Sequence, residues 1–404
     1  MTTVAQPPVG LYVHVPFCVS VCPYCDFVVY AGAAARGPRS RVGGFLEAVL
    51  AEIDLRASVL DDRFGMDRPA LDTVYIGGGT PSLLPVHDIE RLLERVRRRF
   101  GISDDAEITL EANPGADERG DARALRAIGI NRLSFGAQSL DDTELRRLGR
   151  RHSAADVKSA VDDARAAGIA SVNVDLLYDT PDGTIRGWKR TLDAALELAP
   201  DHVSLYALTL DDPDAEGLTG PNGDHLRPTS GARRWRERAR LGQDEDRAAA
   251  QYQHAAMTLA SAGFRGYEIS NWARPGHEGR HNLAYWHRRP HEAVGPGSHA
   301  FDGAVRRWNA ASLGGYMAAL IRTLPTLPPG GEECVDGATA IAERLILGLR
   351  LDTGVPLAAA GEPPLSAAWD WARGADLVEV TPDARVRLTT RGRLLSNELF
   401  SRMV

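Results

Sequence analysis

Gly10-Leu-Tyr-Val-His-Val-Pro-Phe-Cys-Val-Ser-Val-Cys-Pro-Tyr-Cys-Asp-Phe27 is the stretch from which the rest of the chain is read. It opens as an apolar strand and continues as a loop carrying Cys18, Cys22 and Cys25 in a Cys-x3-Cys-x2-Cys run. Three soft ligands on one short loop can hold three irons of a [4Fe–4S] cluster and leave the fourth iron open to a small molecule. A structural zinc site is the alternative, but it wants four ligands, with His14 or Asp26 as the fourth. No second Cys-x2-Cys pair exists, and the remaining cysteine, Cys334, stands far away.

Working outward, strand-like stretches at Gly10–Val15, Thr73–Ile76, Ile108–Ala112, Arg132–Phe135, Ser171–Leu177 and His202–Leu208 alternate with amphipathic helical patterns. The helical segments are Gly44–Leu60, Ile89–Arg99, Arg119–Ile128, Ala154–Ala167 and Ile185–Leu198. Strand-then-helix repetition predicts a parallel α/β sheet, here curved into a partial barrel, with reactive groups at the C-terminal strand ends. The cysteine loop follows the first strand and so falls on that face.

Residues 211–247 break the rhythm. They are rich in Gly, Pro, Asp and Arg and read as a mobile insertion or lid, with Arg233–Arg240 a solvated helix. A helix at Ala248–Ala262 and a strand at Phe264–Ile269 follow. From residue 311 the pattern becomes helices at Leu313–Arg322, Gly337–Leu349 and Leu365–Arg373, a hairpin over Asp376–Leu388, and a last helix over Thr390–Met403. That order is winged-helix-like and divides the chain into residues 1–310 and 311–404.

Of the 404 residues, 44% are hydrophobic and 25% charged, an ordinary globular composition. No apolar run reaches the roughly 18 residues of a membrane span, and the N-terminus lacks the basic and apolar segments of a signal peptide, so a cytoplasmic protein is expected. The formal net charge of −7 disfavours a nonspecific nucleic-acid binder.

The cysteine run, with an aromatic residue before its last cysteine, resembles the radical S-adenosylmethionine (SAM) superfamily. So does Ile76-Gly-Gly-Gly-Thr-Pro-Ser82 after the second strand, where glycines let backbone approach a ligand. A narrower resemblance rests on Leu110–Pro114, Gly129–Ser139, Leu148–His152, Asn173–Tyr178, Tyr267–Trp272 and His281-Asn-Leu-Ala-Tyr-Trp286. Together they resemble the oxygen-independent coproporphyrinogen III oxidase-like family, from about Gly10 to Phe301 and weakly through Glu343–Arg350.

The resemblance implies a partial (β/α)6 radical SAM barrel with a smaller C-terminal α+β winged-helix-like domain. It implies a [4Fe–4S] cluster on Cys18, Cys22 and Cys25, and SAM near Tyr12, Tyr24, Gly79, Thr80, Pro81, Glu111, Gln138, Arg150 and Asp175. Glu111 and Asp175 suit an amine or ribose hydroxyls, Arg150 a carboxylate, and Tyr24 the adenine face. Asn131, Arg132 and Tyr178 read as residues that knit strand ends. The implied chemistry is one-electron reduction of SAM to methionine and a 5′-deoxyadenosyl radical.

Within the family, the porphyrinogen oxidases carry a further cysteine where this chain has Phe27, and a longer N-terminal region. The haem chaperone (HemW-type) branch has Cys-Asp-Phe there, as Cys25-Asp-Phe27 here, and the His-Asn-x-x-Tyr-Trp motif. That branch implies haem at His281, Asn282, Tyr285 and Trp286, delivery to haem-requiring respiratory proteins that can lie beside a membrane, and a flavodoxin or ferredoxin as reductant. Oxidative decarboxylation of coproporphyrinogen III is the alternative. A cluster-bearing DNA regulator is a distant one, because the last helix presents too thin a basic face. Two departures are notable. Asp179 and Asp182 replace glycines usual after the fifth strand, and Asp211-Asp-Pro-Asp214 replaces Glu-Pro-Gly-Thr after the sixth.

Overall fold

A computed structural model describes residues 4–404; the first three residues of the N-terminal segment lie outside it. Six parallel strands, β1 (Gly10–Val15), β2 (Leu71–Gly78), β3 (Ile102–Ala112), β4 (Arg132–Gln138), β5 (Ser171–Tyr178) and β6 (His202–Ala207), lie side by side in chain order. The intervening helices include α1 (Val42–Phe64), α2 (Val86–Phe100), α3 (Ala122–Ala127), α4 (Ala154–Ala166) and α5 (Ile185–Glu197). This is the expected partial barrel.

The alternation of residues along the strands decides what the barrel is for. Leu11, Val13 and Val15 of β1, Val74 and Ile76 of β2, Leu133 and Phe135 of β4, and Val172, Val174 and Leu176 of β5 are buried in one hydrophobic core with the helices. Successive side chains point to opposite faces of a strand, so the intervening residues face the other way. They are Tyr12, Tyr75, Glu111, Arg132, Ser134, Asn173, Asp175, His202 and Ser204, and they line a single cavity. A typical barrel interior is packed with branched apolar side chains. This one has a polar lumen, so the fold keeps room for a polar ligand.

The sheet extends beyond β1. His291–Val294 pairs with it in parallel, and His299–Phe301, Val305–Asn309 and Gly330–Cys334 add antiparallel strands. The change of character expected at residue 311 therefore falls inside the main sheet. Leu313, Tyr316 and Leu320 join the main core, and the Tyr316 hydroxyl donates to buried Glu52 of α1 (2.7 Å). A separate core gathers from Leu345 to Met403 around a three-stranded antiparallel sheet, Val355–Pro356, Arg385–Leu388 and Val378–Val380. The final helix is broken at Leu395 into Thr390–Leu394 and Ser396–Phe400.

The insertion is packed more tightly than its composition suggests. It contains a capped helix, Ser230–Arg240, whose Arg236 and Ala239 are buried, three positions apart on one face. Ala239 sits in a cluster with Leu148, Leu177, Leu208 and Leu210, against which Tyr24 and Trp235 pack. The Asp179 and Asp182 substitutions keep a glycine-like path, with φ of 52° and 56°. Aspartate tolerates that region better than most residues. Asp179 also accepts from Arg247 Nη2 (2.6 Å) and from the Asp244 backbone N–H (3.1 Å), which holds the turn against the next helix.

Candidate functional site

The cysteine loop hangs from the C-terminal end of β1 and is tied down by backbone bonds. Phe17–Cys18 pairs in parallel with Tyr30–Ala31, the Cys25 N–H donates to Cys22 O (3.0 Å), and His14 Nε2 bonds Val28 O (2.8 Å). The glycine turn after β2 lies directly against it. The Gly79 N–H donates to Val15 O (2.9 Å) and the Thr80 N–H to Phe17 O (2.7 Å). A Cβ on Gly79 would stand 2.6 Å from Phe17 O. The glycine is thus required by the neighbouring backbone of the cysteine loop as well as by any ligand it faces.

All three cysteine side chains are half-buried and line the mouth of the lumen, whose volume is about 810 Å³. Burial pushes the Cys18 thiol up to about 11, eased by Thr80 Oγ1 3.2 Å from its sulfur, and the Cys25 thiol up to about 12. Both are neutral at pH 7 in the empty protein, so any metal that binds them must displace protons. Among the described residues, no group of three His, Cys, Asp or Glu side chains is disposed to hold a single metal ion.

Of the residues assigned to SAM by resemblance, Tyr12, Tyr24, Gly79, Glu111, Gln138, Arg150 and Asp175 line the same lumen. Thr80 and Pro81 stand behind it: both are buried, and Pro81 opens a 3-10 turn. Glu111 accepts from the Tyr75 hydroxyl (2.6 Å) and the Gly78 N–H (2.9 Å), and burial holds its carboxyl up at about 7 against those bonds. Burial likewise raises the Asp175 carboxyl, which accepts from Ser134 Oγ (3.1 Å) and Asn173 Nδ2 (2.7 Å). Gln138 follows a register slip in β4 and has φ of 67°.

Arg150 does not present a free fork. Its Nη2 donates to Gly136 O (2.8 Å) and to Asn113 Oδ1, while its Nη1 reaches Cys22 Sγ (3.5 Å). Asn113 in turn donates to Thr80 Oγ1 (2.9 Å). These contacts make Asn113 and Gly136, which lie in the Leu110–Pro114 and Gly129–Ser139 stretches, part of the site. Tyr24 Oη, Arg150 Nε and Arg132 Nε are buried without a protein partner. Buried polar atoms are seldom left so, and here they border a polar cavity. The donor set and these orphaned atoms fit a polar cofactor beside a thiolate-held cluster.

The residues assigned to haem are spread out. His281, Asn282 and Tyr285 lie at the other end of the lumen, because His281 Nδ1 bonds Thr73 Oγ1 (2.7 Å), and Thr73 is in register with Gly10 at the start of β1. His281 Nε2 bonds the Tyr285 hydroxyl (2.8 Å), so both ring nitrogens are engaged, and burial pushes the imidazole down to about 3. The Trp286 ring does not join the lumen; the Arg350 guanidinium covers it at 4.4 Å. The broad Tyr–Trp face expected for a porphyrin is therefore not assembled, and His281 stands as a hydrogen-bonded strut. His202 is doubly bonded too, to Asn173 Oδ1 (2.6 Å) and Tyr267 Oη (2.9 Å). Asn131 does knit strand ends, bonding the Ile108 N–H and Ala106 O (2.8 and 2.7 Å).

A parallel half-barrel with three cysteines on the loop after its first strand, and a glycine turn after its second, defines a radical SAM protein. The sequence model of the radical SAM superfamily matches residues 12–195. The chain is 38% identical over 390 residues to a Mycobacterium tuberculosis protein named heme chaperone HemW, covering 96% of this chain and 93% of that one. It is 34% identical to a Synechocystis protein of the same name, over 86% of this chain and 79% of the relative. The chain belongs to the HemW family of the radical SAM superfamily. The fold is also that of the structure titled "Coproporphyrinogen III oxidase (HemN) from Escherichia coli is a Radical SAM enzyme", with a TM-score of 0.80, 23% identity, and coverage of 99% and 91% of the two chains.

Proposed function

We propose that this protein is a radical SAM haem chaperone, which binds haem and passes it to haem-requiring respiratory proteins. One observation carries the reading: three half-buried thiols open onto a polar lumen, in a chain that matches proteins named heme chaperone HemW over nearly its whole length. Cys18, Cys22 and Cys25 hold a [4Fe–4S] cluster, and SAM lies among Tyr12, Tyr24, Gly79, Glu111, Gln138, Arg150 and Asp175, with Thr80 and Pro81 backing them. When bound, the cluster supplies an electron, delivered to it by a flavodoxin- or ferredoxin-like reductant, for reductive cleavage of SAM.

The chain's own residues do the positioning. Glu111, with its carboxyl at about 7, accepts an ammonium as its proton leaves. Arg150 holds Cys22 and the strand end at Gly136 in one place. For haem to be held at this motif, His281 would exchange its bond to Thr73 or Tyr285 for the iron beside Asn282 and Tyr285, and the Trp286 ring would have to leave Arg350, so capture and rearrangement of this end of the lumen are one event. Among the described residues no helix is long and apolar enough to cross a membrane, so an acceptor in the membrane would be met at its surface.

The test is anaerobic reconstitution followed by haem titration and coproporphyrinogen III turnover on the same sample. Saturable Soret changes without turnover support the chaperone. Turnover, or no saturable change, overturns it. Loss of the change in His281→Ala with Tyr285→Phe assigns haem to this motif, and an unaltered titration moves it elsewhere.

A further inference from the structure

The insertion helix Ser230–Arg240 reaches the cysteine loop through one buried side chain. Arg236 is 4% exposed, and its guanidinium donates to Pro23 O (3.1 Å), Cys25 O (3.0 Å) and Asp211 O, with the Asp26 carboxylate 3.5 Å away. Two of those carbonyls lie within the Cys22–Cys25 segment, and the third begins the insertion. Trp235, the preceding residue, packs against the Tyr24 ring with centroids 6.2 Å apart. Ala239 anchors the same helix in the cluster of Leu148, Leu177, Leu208 and Leu210. The guanidinium is satisfied mainly by carbonyl oxygens, with the half-exposed Asp26 carboxylate as its nearest counter-charge, and a buried charge is retained only where its surroundings compensate it.

We propose that Arg236 is a positioning residue for the cluster, clamping the Pro23–Cys25 backbone to the insertion helix so that cluster loading and the order of that helix are linked. The inference rests on the reading that Cys18, Cys22 and Cys25 hold the cluster. By holding the carbonyl ends of the Pro23–Tyr24 and Cys25–Asp26 peptides, Arg236 turns their N–H ends the opposite way and fixes the path between the second and third cysteines. A cluster on three thiolates is net negative, and more so once reduced. The guanidinium at the Cys25 carbonyl, its charge offset only in part by the half-exposed Asp26 carboxylate, would therefore favour the reduced form. Linkage makes the coupling reciprocal: what the helix does for the loaded loop, loading must do for the helix.

The experiment uses the full chain, reconstituted anaerobically, as wild type, Arg236→Met and Arg236→Lys. Arg236→Met is expected to take up iron and sulfide but to lose them to a chelator on the order of tenfold faster, consistent with two or three charge-assisted bonds to the loop. Its reduced-cluster EPR signal should appear only at lower potential, and Arg236→Lys should recover the potential more than the retention. Loss rates and potential equal to wild type in Arg236→Met overturn the proposal. Hydrogen exchange on wild type alone provides a second arm if that variant does not fold. Peptides spanning residues 230–240 should exchange more slowly in the loaded than in the empty protein, and equal exchange overturns the clamp. A wild-type chain that takes up neither iron nor sulfide overturns the cluster reading itself, and the clamp with it.

Discussion

Replacing Gly79 by alanine tests whether the glycine turn is built around the cysteine loop. The new Cβ would lie 2.6 Å from Phe17 O and 2.9 Å from both Phe17 C and N, all of them backbone atoms that no rotamer change can move aside. An ordinary C···O contact is about 3.3 Å or more, so the two segments must part by roughly 0.7 Å. That separation strains the Thr80 N–H to Phe17 O bond (2.7 Å) and the Gly79 N–H to Val15 O bond (2.9 Å). Two weakened bonds at about 1 kcal/mol each, with an overpacking cost of about 1–3 kcal/mol, give a destabilisation of roughly 3–5 kcal/mol. Gly43→Ala is the control, since Gly43 sits within α1 with no atom within 4 Å of its added Cβ. In the first turn of α1 it should gain no more than about 0.5 kcal/mol, below the value for a helix interior. Urea unfolding of the empty protein measures both, and iron and sulfide uptake reports whether the displaced loop still gathers its thiols. Equal midpoints for Gly79→Ala and wild type would refute the packing argument.

Glu111→Gln should change how stability depends on pH. The folded carboxyl sits at about 7 against 4.5 ordinarily, so its neutral form favours the fold below pH 4.5, and that advantage is lost as pH rises to about 7. The loss is on the order of 3 kcal/mol. Glutamine lacks it, so urea midpoints of variant and wild type should diverge between pH 5 and pH 8 in the variant's favour; a constant difference refutes the assignment. Glu52 is fully buried and accepts from Arg56, the Gly295 N–H, Asn309 and Tyr316. Glu52→Ala should cost about 3–5 kcal/mol in chemical denaturation by leaving those donors and a buried cation unpaired, and a cost below 1 kcal/mol would contradict this. Asp179→Gly should destabilise by about 1–2 kcal/mol, because the relief of positive φ is outweighed by loss of the Arg247 and Asp244 bonds. Asp182→Gly has no such bonds to lose, and its thermal midpoint should stay close to wild type.

The six parallel strands were legible through their β-branched or apolar runs, although β3 starts at Ile102, six residues before the apolar run at Ile108 and through the polar Ser103-Asp-Asp105. The cysteine loop was legible because thiol spacing is a local property. What remained hidden was set by long-range partners. His291–Val294 has no strong strand signature, and it becomes a strand because β1 presents an unpaired edge. The Ser230–Arg240 helix is so rich in arginine that it read as solvated, yet one of those arginines finds three carbonyl oxygens, two of them more than two hundred residues away. His281 stood out as a haem residue through its place in the His-Asn-x-x-Tyr-Trp motif. Only three dimensions disclose that Thr73 and Tyr285 already occupy its two nitrogens. Sequence reports which groups exist; burial and competing partners decide which are free.

The wall of the lumen is drawn from almost the whole chain, from Tyr12 on the first strand to Asn397 near the end. Translation delivers those two residues at opposite ends of synthesis. Until the last helices emerge, the lumen onto which the thiols open lacks the part of its wall that Ser396 and Asn397 supply. A ribosome-bound intermediate is therefore a poor recipient for an oxygen-sensitive cargo, and iron–sulfur assembly on this protein should follow chain release.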